Sequence, residues 1–240
     1  YGNSEGVIRK YEVNLTRYST IDTAGTSKQK AAEKKQGKPP SFSVCAIWDH
    51  CVLTNWLFLR HVWRERVRWS ELKNGINQTL MDWNVQKAII ENAHFGPALS
   101  EEIPQRIQVE LVNPMLPGMK SKSMQSGRGA KLERFIASGY GNALENSMVF
   151  FPDAATISGV SGWLPEWESE HLVWTGLEDE TSDQIDVGSY AVNATRHLTT
   201  SRSSLEGWAP VESGNGFGGG GFGGSSGLGG GEFSRMGRRL

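Results

Sequence analysis

No run of apolar residues in this sequence approaches the ~18 needed to cross a membrane. The richest stretch, Val44 to Trp63, is broken by Asp49, His50, Asn55, Arg60 and His61, so no membrane partner is expected. Cysteine is scarce, with two residues, Cys45 and Cys51, in a chain of 240. Two thiols do not make a disulfide scaffold. On a helix they would sit about 9 Å apart along the axis and on different faces, out of bonding range. A reducing, intracellular setting is therefore expected, cytoplasmic or within an assembled particle. No signal-peptide pattern is legible, and the chain opens at Tyr1 rather than Met. That start suits a fragment, a processed product or part of something longer.

Motifs that fix a chemistry are also missing. Gly139-Tyr140-Gly141 has no third glycine at dinucleotide-binding spacing, and the run from Gly127 to Lys131 lacks the spacing of a phosphate-binding loop. There is no G-x-S-x-G elbow to present a nucleophilic serine. There is no CxxC, and Cys45, His50, Cys51 and His61 include no pair four apart, the spacing that sets two ligands on one helical face. The expectation is no metal, no cofactor and no catalytic residue.

What the sequence does contain is segregated charge. Residues 1–140 carry 20 Lys and Arg against 13 Asp and Glu, whereas residues 141–212 carry 2 against 12. The formal net charge of −1 hides this division. A basic body beside an acidic one suits two tasks, holding a polyanion and docking copies head to tail.

Along the chain, Val7, Tyr11, Val13 and Leu15 alternate with polar residues and predict a strand or pairing arm over 7–18. Residues 19–40, with five lysines and a closing Pro39-Pro40, read as a basic linker. Residues 41–70 predict a helix, its first half apolar on several sides, its second half bearing Arg60, Arg64 and Arg68 at intervals of four. A second helix is predicted from Gln78 to His94, ended by Gly96-Pro97, and strands over 105–112 and 148–151. Residues 190–205 are ambiguous. The stretch 214–231 holds 12 Gly in 18 positions and predicts a flexible coil, followed by Arg235, Arg238 and Arg239. The expected fold class is α+β, with a mainly helical core near 41–95, short strands after it, a flexible N-terminal arm over 1–40 and a disordered tail over 213–240. The globular part would span 41–212, basic to residue 140 and acidic beyond.

Two clusters invite function. Arg60, Arg64 and Arg68 on one helical stripe, with Lys120, Lys122, Arg128, Lys131 and Arg134 in and after a Gly/Ser loop, could neutralise phosphates. The bland alternative is that these cations are solvated or paired. In the acidic half, Trp163, Trp167 and Trp174 with Glu166, Glu168 and Glu170 form either an interaction surface, with aromatic anchors inside a charged rim, or a local core. Together these features predict a non-enzymatic structural protein, a coat or nucleocapsid-like subunit. Its partners would be copies of itself and nucleic acid, RNA being the first expectation. One alternative is an accessory subunit of a larger complex without nucleic acid. Another is an enzyme with no recognisable motif, which would show itself by acids gathered in one cleft.

Overall fold

The computed structural model describes residues 15–24, 42–119, 128–154, 157–176 and 182–200. In chain order the elements are β1 (Leu15–Asp22), β2 (Ser43–Cys51), β3 (Trp56–Glu65), α1 (Trp69–Asp82), β4 (Lys87–Glu91), α2 (Gly96–Glu102), β5 (Gln108–Val112), α3 (Arg128–Ser138), α4 (Tyr140–Glu145), β6 (Val149–Phe150), α5 (Leu164–Val173) and α6 (Asp183–Thr200). The strands form one mixed sheet in the order β5-β4-β1-β2-β3-β6. The β1–β2 and β2–β3 pairs are antiparallel, while β1–β4, β4–β5 and β3–β6 are parallel.

The expected mainly helical core over 41–95 is not what forms. The segment 41–70 is a β-hairpin, β2 and β3, and the segment 78–94 divides into the end of α1 and the whole of β4. Strand β2, SVCAIWDHC, is buried at every position. A strand covered on both faces is apolar throughout, so alternation gives no signal and its sequence passes for a buried helix. The turn is made at Asn55, whose φ of 57° lies in the left-handed region that asparagine tolerates. The arginine stripe misleads for a related reason. Four residues is close to one helical turn, and it is also two periods of a strand.

The sheet is covered on both faces. On one side Ile21, Cys45, Ile47, Ala88 and Ile90 pack with Leu72, Ile76 and Leu80 of α1 and Leu99 of α2. On the other, Tyr18, Ala46, Trp48, Leu59 and Ile89 pack with Tyr140, Trp167, Val187 and Ala191. Helix α6 lies deepest on this second face. Every residue from Ser182 to Thr195 is buried, and the Tyr18 hydroxyl donates to the Ala191 carbonyl at 2.9 Å. Gly188 lets α6 close on α4 as well, since a Cβ there would run into the Tyr140 ring. Cys45 and Cys51 are buried free thiols on the same strand.

The strand predicted over 7–18 meets the described residues only from Leu15, and β1 runs on through Ser19–Asp22, read above as linker. Strand β5 lies within the segment read as a strand, and β6 within 148–151. The N-terminal residues 1–14, most of the basic linker, Lys120, Lys122 and the glycine-rich tail lie outside the described residues.

Candidate active site

Two periodicities converge on one point. Along β1, Tyr18 and Thr20 face α6: Tyr18 bonds to it, and Thr20 accepts the Trp48 indole N–H at 2.9 Å. Two residues further on, Asp22 faces the same way. Along β4, Ile89 belongs to the core under α6, so Glu91 shares its side. The parallel register pairs Thr20 with Ile89 and Ile21 with Ile90. The next pair along places Asp22 beside Glu91, at the carboxyl ends of neighbouring parallel strands. Crevices at such ends are where open α/β sheets bind their ligands.

Helix α6 supplies two more acids, Asp183 and Asp186, one turn apart. Helix α3 answers them with Lys131 and Arg134, also one turn apart. The Lys131 ammonium lies 3.3 Å from Asp183 Oδ1 and 3.0 Å from Asp186 Oδ2. Arg134 Nη1 donates to Asp186 Oδ1 and to the Tyr190 hydroxyl, each at 3.2 Å. The remaining Asp183 oxygen, Oδ2, accepts the backbone N–H of Phe42 at 3.0 Å.

Four carboxyl groups against two cations leave an excess of negative charge in a buried place. Asp22 registers it. Burial, then the charge of Glu91 and a hydrogen bond shared with it, then Asp186, push its pKa well above the usual carboxylate range. For Lys131, burial alone would lower the pKa, but Asp186, Asp183 and Asp22 outweigh it and the pKa is raised. The same opposition, won again by the acids with Asp186 foremost, raises that of Arg134. Among the described residues no set of three His, Cys, Asp or Glu side chains closes round a single ion as it stands. The α6 acids close round Lys131 instead, and Asp22 bonds to Glu91.

The start of α6 is held from behind. Glu170 on α5 accepts the Gln184 backbone N–H at 2.6 Å through Oε1, and Gln184 Nε2 at 3.0 Å and Arg64 Nη2 at 3.3 Å through Oε2. Arg64 also donates to Glu166 at 2.8 Å, and its guanidinium lies 3.5 Å from the centre of the Phe42 ring.

The residues singled out from the sequence are therefore scattered. Lys131 and Arg134 are at the carboxylate site. Arg60 and Arg17 share the buried Asp49. Arg64 is engaged by Glu166 and Glu170, and Arg68 caps α1 with its backbone N–H bonded to Glu71. Arg128 opens α3. The three basic residues at intervals of four do not form one stripe along a helix, because β3 carries Arg60 and Arg64 while Arg68 lies beyond it. In the acidic half the local-core alternative describes two tryptophans: Trp163 and Trp167 are buried, Trp167 edge-on to Trp48 at 5.8 Å. They are thus not surface anchors. Trp174 is half-buried against Phe135, Glu170 is buried, and Glu166 and Glu168 are exposed. Sequence reasoning singled out none of the four carboxylates, Asp22, Glu91, Asp183 and Asp186, as site residues. A carboxylate closing the apolar run Ala88-Ile89-Ile90 was the available signal.

No protein-family model matches the sequence, and no curated protein resembles it. Solved structures do. The large terminase nuclease of a thermophilic phage, crystallised with zinc, is similar at 16% identity and a TM-score of 0.44, over 78% of this chain and 84% of that one. The fowlpox virus Holliday junction resolvase is similar at 12% identity and a TM-score of 0.40, over 79% and 99%. The human cytomegalovirus terminase nuclease domain, soaked with manganese and bound to an inhibitor, is similar at 10% identity and a TM-score of 0.41, over 82% and 97%. The expectation of a non-enzymatic, self-assembling coat or nucleocapsid-like subunit is overturned. The 41–70 segment of its expected helical core is a β-hairpin in a six-stranded mixed sheet, and Asp22 and Glu91 of the basic half lie with Asp183 and Asp186 of the acidic half around Lys131 and Arg134.

Proposed function

We propose that the chain is a divalent-cation-dependent phosphodiesterase that cuts a nucleic-acid backbone. One observation carries this reading: Asp22 and Glu91 adjoin at the carboxyl ends of two parallel strands, and Lys131 feels the charge of Asp22 together with that of Asp183 and Asp186 from α6, so that three elements far apart in sequence contribute. Acids gathered in one place are the feature by which an enzyme without a recognisable motif was expected to show itself.

The donor set suits a hard cation. It is made of carboxylate oxygens with no thiolate or imidazole, the chemistry that favours magnesium or manganese over softer metals. The pKa of Asp22 is raised first by its burial and then by the neighbouring charges of Glu91 and Asp186, the part of the shift that a bound cation would offset. Asp22, Glu91 and Asp186 would hold the cation, with Asp183 beside them. When bound, such a cation supplies charge neutralisation at a phosphodiester and lowers the pKa of a water molecule.

The chain's own residues do the rest. Arg134, fixed by Asp186 and the Tyr190 hydroxyl, sets the orientation of Asp186. The Phe42 N–H sets that of Asp183. Lys131, part-exposed, brings positive charge to where a phosphate would approach and so retains a part in binding the substrate, while the buried Arg134 acts through Asp186. Arg66, exposed with its guanidinium 3.8 Å from the centre of the Phe42 ring, offers a further phosphate contact beside the site.

The test is cleavage of labelled single-stranded, duplex and branched nucleic acids with Mg²⁺ or Mn²⁺. The variants Asp22→Asn, Glu91→Gln and Asp186→Asn keep shape and remove charge. Each should lose at least about 100-fold in rate while remaining folded by circular dichroism. Cleavage that survives both chelation of the cation and all three substitutions overturns the reading.

A further inference from the structure

We propose that Lys131 is the resident cation of the carboxylate site, and that a divalent cation enters by displacing its ammonium from Asp183 and Asp186. The inference rests on the functional reading above and names how that site is kept before it is loaded.

The argument is an inventory of oxygens. Asp183 Oδ2 is taken by the Phe42 N–H. Asp186 Oδ1 is taken by Arg134. The α6 carboxylate oxygens that carry no backbone or guanidinium N–H are Asp183 Oδ1 and Asp186 Oδ2, the two with most capacity for a cation. Those are the two that the Lys131 ammonium contacts, at 3.3 and 3.0 Å. An ammonium and a divalent cation compete for those two oxygens, because charges of the same sign so close together repel.

The two basic residues differ in which can leave. The Arg134 side chain is 5% exposed, and its guanidinium also bonds the buried Tyr190 hydroxyl. Moving it would strand charge and a hydroxyl in the core. The Lys131 side chain is 26% exposed and ends in a point charge on a flexible four-carbon stem. It can swing toward solvent at the cost of two contacts that the incoming ion replaces. Arg134 is thus a permanent counter-ion and Lys131 an exchangeable one. Without the ion, Lys131 relieves the repulsion between the two α6 acids and keeps them poised; with it, the freed ammonium stands at the site's mouth.

The first experiment needs no variant. The full chain is labelled briefly with an amine-acetylating reagent, with and without Mn²⁺, and modification at Lys131 is read by mass spectrometry. An ammonium held between two carboxylates reacts slowly, so Mn²⁺ should raise labelling at Lys131 several-fold while leaving Lys73 unchanged. The second measures Mn²⁺ binding by electron paramagnetic resonance in Lys131→Met and Lys131→Gln, each checked for folding by circular dichroism. Removing the competitor should tighten binding roughly 10-fold, a typical coupling between two linked binding events. Mn²⁺ that binds with Lys131 labelling unchanged overturns the exchange and leaves the functional reading standing. Failure of Mn²⁺ to bind the wild-type chain or either variant overturns both.

Discussion

His171 shows how fully one side chain's state can follow from its neighbours. Its Nδ1 lies 2.8 Å from the Trp167 carbonyl, which can only accept, so Nδ1 carries the proton. Its Nε2, 2.9 Å from the Tyr140 hydroxyl, is then the acceptor. The ring stacks on Trp167 at 4.4 Å and is neutral in the core. Burial lowers its pKa from 6.5 to about 4, against the small opposing pull of the Trp167 carbonyl. The folded state therefore resists a proton that the unfolded state accepts. The stability this contributes is complete above pH 6.5 and is lost as pH falls from there to about 4. The loss amounts to about 3 kcal/mol. His171→Phe keeps the stacking and discards the proton site. Urea midpoints measured between pH 7 and pH 4 should fall less steeply in the variant, after a cost of about 2–3 kcal/mol at pH 7 for the two lost hydrogen bonds, that of the buried Tyr140 hydroxyl foremost. Parallel curves would show that His171 is not the acid-sensitive group. At this same scale the acids of the site were hard to read. Ser19, Thr20 and Asp22 are polar residues buried in a central strand, and period-two reasoning assigns such residues to solvent or to a linker. Only the pairing of β1 with β4, which no local pattern encodes, shows that Asp22 and Glu91 adjoin.

Between elements, the contact that positions the site from behind runs from β3 through α5 to the first turn of α6. Glu170 is its centre. Burial raises its pKa, and the bonds from Gln184 and the charge of Arg64 pull the other way. Glu170→Ala strands the Gln184 N–H and part of the Arg64 guanidinium in a buried place, which should cost about 3 kcal/mol in urea unfolding. Glu170→Gln keeps an acceptor for the N–H and should lose about a third of that. An alanine variant as stable as wild type would mean that α6 is held by its apolar face alone. Arg64→Glu, a natural choice for removing a phosphate contact, would instead set a third glutamate against Glu166 and Glu170. Its effect would report packing, not nucleic-acid binding. Element identity was legible where one face meets solvent, as in β5, whose exposed and half-buried positions alternate in part. It was not legible in β2, buried on both sides, nor where a turn rests on one asparagine, at Asn55 in the hairpin and at Asn84 between α1 and β4.

The division of charge along the sequence acquires a different sense in the whole molecule. The basic half contributes Asp22 and Glu91 and the two α3 cations, while the acidic half contributes Asp183 and Asp186. Folding brings the halves together across α6 and β1, so the segregation supports an internal site instead of a surface between copies. The site's acids come from residue 22 and residue 186, joined only through the central strands and the most deeply buried helix. A ligand that bridges them must then act on global stability and not on one loop. A cation that binds the folded chain alone, at 100 times its dissociation constant, adds about 2.7 kcal/mol. For a domain of this size that corresponds to a rise of roughly 5–10 °C in Tm. Thermal melts in increasing Mn²⁺ should therefore show a Tm that climbs with the logarithm of concentration. In Asp186→Asn the climb should vanish, although the melt itself stays cooperative. A wild-type Tm indifferent to Mn²⁺ and Mg²⁺ across the millimolar range would mean that the gathered carboxylates serve only to bind Lys131 and Arg134.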